Sequence, residues 1–249
     1  MSGCVEEVPP PTSARPDASA TECRGQVVFC TTCHFRSREE EGDIVTAKGD
    51  DEKRYALSFT SGALLTREAV VAAPLYQATR DWTAVRKLIG EDNLLQARTV
   101  SSGVRLAREV AQRLTVLSDD ELELLVDASA TERGYLMWAA ACRRYLFVGE
   151  FAEDVLRERF LLLTPTLTYD EFDGFVHSKA LWHPELGELK ESTLKKLRAV
   201  AFRMLAEAGL LSDNGDILPA VISGRLLDCF DAREPSDLRF FPTTQGGAR

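Results

Sequence analysis

The amino-acid sequence predicts an all-α protein, a globular multi-helix bundle that adds one short β-hairpin after its penultimate long helix, a winged-helix-like C-terminal half. Three observations predict it. From Tyr55 onward apolar residues recur at three- and four-residue intervals, the period that places them on one face of an α-helix. Ser, Thr or Asp residues, whose side chains accept hydrogen bonds from the first free N–H groups of a helix, precede most of these runs. A single stretch, Leu210 to Leu218, reads as strand, turn and strand, with Asn214-Gly215 supplying the positive φ angles of a tight turn.

Taken in order, Thr60 or Ser61 caps a helix through Tyr76, with Leu64, Leu65, Ala69, Ala72 and Leu75 inward. Asp81 caps a second helix through Ile89, ended by Gly90. Ser101 or Ser102 opens a third, on which Val104, Ala107, Val110, Ala111, Leu114 and Leu117 form an apolar stripe and Arg105, Arg108 and Gln112 a basic back. Ser118 and Glu121 make a capping box for a fourth. Tyr135 to Phe147 is apolar on nearly every side and belongs at the centre of the bundle, with Gly149 breaking it. Phe151 to Leu163 resumes the helical spacing until Pro165 disfavours helical geometry at Thr164. Thr168 and Glu171 box a helix to about Trp182, bearing Phe172, Phe175, Val176 and Leu181 inward, and His183-Pro184 turns the chain. Ser192 or Thr193 caps the penultimate long helix, stopped by Gly209. Residues 1–54, rich in turn formers and with seven basic against eleven acidic side chains, read as an N-terminal extension without a packed core. Residues 55–130 and 131–245 form an N-terminal and a C-terminal helical subdomain.

Composition narrows the function. A formal charge of −9 excludes coating nucleic acid by bulk positive charge and leaves room for local basic patches. The most apolar stretch, Gly134 to Val148, is about 15 residues and contains Arg143 and Arg144, too short and too charged for a membrane span. No secretory signal is visible, which predicts a cytoplasmic protein with its six cysteines reduced. Cys30-Thr31-Thr32-Cys33-His34 matches the spacing of covalent haem attachment, and Cys23, Cys30, Cys33 and His34 have zinc-ligand chemistry. Neither has a supporting context, and no cofactor is expected. Cys142 and Cys229 read as core thiols, and His177 and His183 as unsuited to a catalytic metal. Asp170, Glu171 and Asp173 fall in a helix first turn, where carboxylates serve the helix dipole, and no phosphate loop or nucleophile elbow is present. The chain reads as a non-enzyme. Two basic islands remain: Val85 to Thr115 with six basic against three acidic residues, and Lys190 to Arg203 with five against one. Such faces either stay solvated or neutralise phosphates.

The residues also carry a family likeness. Tyr55 to Leu65, Leu75-Tyr76, Asp81-Trp82, Asn93 to Ser102, Arg105 and Arg108-Glu109, followed by Tyr135 to Trp138, Cys142 to Tyr145, Leu167 to Asp173, Lys179, Trp182 to Leu186, and Ser192-Thr193 through Glu207 to Leu211, resemble in the same order the BrxA family of bacterial BREX phage-exclusion systems. The resemblance covers about Tyr55 to Pro242 and leaves out residues 1–54. It implies a small, all-helical, non-enzymatic component of antiviral defence whose partners are double-stranded DNA and other BREX subunits, the methyltransferase among them; a monomer is expected. On that reading Arg98, Arg105, Arg108, Lys195, Lys196, Arg198 and Arg203 meet phosphates, and Ser101 and Ser102 add backbone donors at a helix start. A competing reading is a helical scaffold without DNA contact, in which Arg98, in the linker between Leu95 and Val100, is buried and satisfies several carbonyls. A third is a thiol or metal module in the extension.

Overall fold

Eleven α-helices make up most of residues 54–245, the part of the chain that the computed structural model describes. Helices α1 (Thr66–Thr79), α2 (Trp82–Glu91) and α3 (Val100–Leu114) pack on one another, and α1 also packs on α4 (Asp119–Asp127). Helix α5 (Ala130–Arg144) runs through the centre, with every residue from Gly134 to Cys142 buried, as its all-round apolarity predicts. At Tyr145 the backbone leaves helical geometry, and α6 (Leu146–Phe151) continues through a π-helical turn, Ala152–Arg157, into α7 (Glu158–Leu161). Then follow α8 (Tyr169–Lys179), the short α9 (Pro184–Gly187), α10 (Glu191–Glu207) and α11 (Gly224–Asp231). One hydrophobic core reaches from Tyr55 to Phe241. In it Phe147 and Phe151 meet Phe172 and Phe175 at ring separations of 5.1–5.8 Å, tilted or edge-on, the arrangement that the aromatic quadrupole favours. The Trp138 indole donates to the Phe240 carbonyl at 2.9 Å, which lets a polar ring edge sit in that core.

Three helix starts lie where their first-turn residues put them. Asp81 accepts from the Thr83 amide at 2.7 Å, and Ser118–Glu121 and Thr168–Glu171 form reciprocal capping boxes. Gly209, at φ 72°, closes α10 and lets the Leu210 amide reach the Leu205 carbonyl at 2.9 Å. Five starts differ from expectation, two of them at the centre: α5 opens at Ala130, ahead of Tyr135 and on a Ser129–Glu132 capping box, and α6 opens at Leu146, ahead of Phe151. Helix α1 opens at Thr66, beyond Thr60 and Ser61, because the preceding segment is committed elsewhere: the Leu64 amide donates to Glu207 at 2.8 Å and the carbonyls of Ala63 and Leu64 accept from Arg113. Helix α3 opens at Val100, with Thr99 in place of Ser101 or Ser102 as its cap, and α10 opens at Glu191 after Lys190, with no side-chain cap. Gly90 lies inside α2, and α8 stops at Lys179, which leaves Leu181 79% exposed rather than in the apolar set. Val104, placed on the inner stripe of α3, is half exposed.

The expected hairpin is reduced to its turn. Gly215, at φ 85°, donates to the Ser212 carbonyl, but no strand forms among the described residues; Leu211 with Ile217 and Thr166 with Asp216 make isolated bridges. The chain after the turn divides its hydrogen bonds between two neighbours: Ile217 donates to Pro165, and Leu218 to Leu210. Pro219 then has no N–H with which to extend a ladder. There is accordingly no wing beside α10.

Gly149 does not break a helix either. It lies within α6, where a Cβ would come 2.9 Å from the Cys142 carbonyl oxygen and 3.2 Å from the Phe240 ring. Because the closer obstacle is backbone, Gly149→Ala is expected to lower stability by about 1–2 kcal/mol net, overpacking outweighing the roughly 1 kcal/mol of helix propensity gained. A urea melt with unchanged or increased stability would show that α6 has room to shift.

Candidate nucleic-acid interface

The predicted contact residues separate into an unpaired set on and just ahead of α3 and a half-paired set on α10. Arg98 stands just ahead of the Thr99 cap and is exposed. On α3, Ser101, Arg105, Arg108 and Gln112 follow one another at intervals of four, three and four residues and so share one flank. Arg105 and Arg108 are exposed, and neither they nor Arg98 has an ion-pair partner among the described residues. The Ser102 amide is taken by the Thr99 hydroxyl at 3.2 Å, so it is not free for a phosphate; Ser101 stays exposed in the uncovered first turn.

On α10, Lys195 pairs with Glu191 at 2.6 Å, one turn back, and its hydrogen bond holds that carboxyl below its ordinary range. Arg198 pairs with Asp173 of α8 and lies over the Tyr169 ring at 4.4 Å, a cation–π contact. Lys196 and Arg203 share the outer face of the helix, seven residues apart, and form no ion pair among the described residues. Arg203 lines a cleft of about 570 Å³ together with Leu106 of α3 and the stretch Gly62–Glu68. Arg67, Glu68 and Glu207 also line it, so its walls carry both signs, and none of the α3 arginines is among its lining residues.

The buried guanidinium of the scaffold reading exists, but it is not Arg98. Arg113, counted in the basic island, is fully buried: it pairs with Glu109 at 2.9 Å and donates to the carbonyls of Ala63, Leu64 and Phe59. The Tyr145 hydroxyl donates to the same Glu109 at 2.6 Å, and burial first, then this carboxylate, pushes the phenol up to about 12. Arg143 of α5 is a second buried hub, held by Glu121 at 2.5 and 2.8 Å and by Asp237 at 2.7 Å. The helical period carries a signal for Arg113: one residue beyond Gln112, it turns 100° off the basic flank onto the face of Leu106, Glu109 and Val110.

Cys23, Cys30, Cys33 and His34 lie outside the described residues. Among the described ones no group of three or more His, Cys, Asp or Glu is placed to hold a metal ion, and no helix is long and apolar enough to cross a membrane. Burial pushes the Cys142 thiol well above its usual range, in keeping with a packing role. Glu171 closes the α8 capping box and meets Arg159 at 3.2 Å, and Asp173, which lies beyond the first turn in which it is expected, serves Arg198, so these two carboxylates are engaged in structure.

The model of the BrxA family matches residues 53–234, nearly the whole described fold. The chain belongs to the BrxA family. Its BrxA relatives include the "BREX protein BrxA" of Escherichia coli O9:H4 (strain HS), 26% identical over 64% of this chain and 75% of that one. A second, from Paramagnetospirillum magneticum (strain AMB-1), is 24% identical over 66% and 82%. A crystal structure of an uncharacterized protein from Magnetospirillum magneticum superimposes with a TM-score of 0.68 at 23% identity, covering 76% of this BrxA-family chain and all of that one, which establishes a shared fold.

Proposed function

We propose that this BrxA-family chain is a non-enzymatic component of a BREX phage-defence system, and that it contacts double-stranded DNA through the arginine flank of α3. Membership of a family whose relatives carry the name "BREX protein BrxA" supports the first part. One observation carries the second: Arg98, Arg105 and Arg108 are exposed just ahead of and along the first nine residues of one helix with no carboxylate neutralising them among the described residues, in a chain of charge −9. Unpaired guanidiniums on an otherwise acidic surface favour phosphate, and phosphate contacts position a duplex without reading its sequence. Ser101 adds a first-turn amide, and Lys196 and Arg203 are the unpaired cations of the second basic island; Lys195 and Arg198, already paired, contribute less. The chain acts in the cytoplasm as a monomer without a cofactor, and other BREX subunits, the methyltransferase among them, are its protein partners.

Fluorescence anisotropy of a labelled duplex tests this. With three phosphates neutralised, affinity is expected to fall roughly 40-fold between about 50 and 200 mM salt. Arg105→Glu with Arg108→Glu should remove most binding and flatten the salt dependence by about two charges, and Lys195→Glu should change little. Absence of binding at low salt, in a protein whose helical circular dichroism is intact, would leave the scaffold reading.

A further inference from the structure

On the side of the molecule built by α7 and α8, apolar side chains are left in water around a groove. The groove, about 630 Å³, has Val155 and Phe175 among its lining residues, with Leu162 on one wall. Its two ends are fixed by ion pairs that cross it, Arg159 to Glu171 at 3.2 Å and Lys179 to Asp154 at 3.0 Å. Beyond the first pair, Leu162 and Leu163 are 72% and 89% exposed; beyond the second, Leu181 and Trp182 are 79% and 69% exposed. Leu162 lines the groove, and Leu163, Leu181 and Trp182 follow lining residues in the chain by three positions or fewer, a grouping that differs from the single exposed leucines any soluble protein shows. Between them, Gly174 and Ser178, one turn apart on α8, are exposed, and nothing lies within 4 Å of where a Gly174 Cβ would stand, so another backbone can approach closely. The 11 residues of α8 give a length of roughly 16 Å, three helical turns.

The charge of the groove selects the occupant. Three carboxylates line it, Asp154, Glu158 and Glu171, against the two cations Arg159 and Lys179. The two crossing pairs consume both cations, Lys179 is shared further with Glu150, and Glu158 is left without an ion-pair partner among the described residues. An acidic phosphate backbone is disfavoured there. We infer that the α7–α8 groove is a docking site for a basic amphipathic α-helix of another protein, its apolar face bridging Leu162 and Trp182 and a Lys or Arg meeting Glu158. This is the helix-in-groove mode, in which anchors three and four residues apart enter an apolar channel.

The probe is a fluorescein-labelled amphipathic peptide of leucine and lysine, about 14 residues long, titrated with the full chain. Two controls go with it: a scrambled peptide of equal composition, and one with glutamate in place of lysine. Saturable binding of the amphipathic peptide alone is expected, weakened at least about tenfold by Glu158→Lys and by Leu162→Glu with Trp182→Glu. These positions are exposed or at the groove rim, and circular dichroism checks that the variants fold. Arg105→Glu with Arg108→Glu should leave peptide binding unchanged, which separates this surface from the DNA reading. Equal binding of all three peptides, or binding indifferent to the groove variants, would overturn the proposal. So would a wild-type dimer in sedimentation velocity that Leu162→Glu with Trp182→Glu dissociates, since the groove would then hold a second copy of this chain.

Discussion

Replacing Arg113 with alanine is expected to destabilise the fold by about 3–5 kcal/mol, enough to unfold much of the protein near its normal working temperature. The size follows from what the guanidinium holds. Glu109 is 5% exposed and would keep a buried charge with only the Tyr145 hydroxyl beside it, and the carbonyls of Ala63, Leu64 and Phe59 would lose their shared donor. The effect is long-range, since the segment Arg113 anchors, Ser61 to Leu65, leads directly into α1 and borders the cleft beside α3. Arg113→Met combined with Glu109→Gln should recover part of the loss: the buried charge disappears and an amide oxygen still accepts from Tyr145. Recovery should stay incomplete because three carbonyls remain without Arg113. Arg98→Ala, in contrast, should stay within about 0.5 kcal/mol of the parent, as exposed positions do. Urea denaturation distinguishes these outcomes, and a loss below about 1 kcal/mol for Arg113→Ala would mean that water replaces the guanidinium.

The contrast between Arg98 and Arg113 shows what is legible in this sequence. Periodicity identifies most of the helices, though not α11 or the break at Tyr145, and a capping box, decided by residues three apart, gives correct starts at Ser118 and Thr168 while the one at Ser129 goes unread. Starts fail where a distant side chain takes the backbone first, as Arg113 and Glu207 do at Ala63 and Leu64. A turn signal likewise announces Asn214-Gly215, but whether strands flank it depends on the partners that Pro165 and Leu210 supply from elsewhere. Among the candidate site residues, charge type is visible and neutralisation is not. Lys195 has its acid one turn away at Glu191, a spacing the sequence displays, whereas Arg198 finds Asp173 only because α8 and α10 come together. Leu181 and Val104 are misread for a related reason: apolar spacing says which residues share a face, not whether another element arrives to cover it.

Arg143→Ala is expected to cost about as much as Arg113→Ala, roughly 3–5 kcal/mol at neutral pH, but with a pH dependence of its own. Arg143 lies between two buried carboxylates that respond oppositely. Burial raises the Glu121 carboxyl, yet the hydrogen bonds and charge of Arg143, with help from the Ser118 amide and Arg233, bring it below its ordinary 4.5. At Asp237 burial wins over the same guanidinium, and the carboxyl rises above its ordinary 3.8. In the parent, therefore, the Glu121 contribution is present above about pH 4.5 and is lost as pH falls through its depressed folded value. The Asp237 contribution runs the other way, being present in acid and lost as pH rises through its elevated folded value. Removing Arg143 takes away the largest of the influences that hold Glu121 down, so both carboxyls should then shift toward the protonated form in the folded state. The variant is accordingly expected to gain stability relative to the parent as pH falls from 7 toward 4. Adding Glu121→Gln to Arg143→Ala should abolish most of that gain by leaving no carboxylate at Glu121 to protonate. Thermal melts of parent, single and double variants across this range measure the effect, and a stability gap that is constant with pH would mean that Glu121 is held by Arg233 and its helix cap rather than by Arg143.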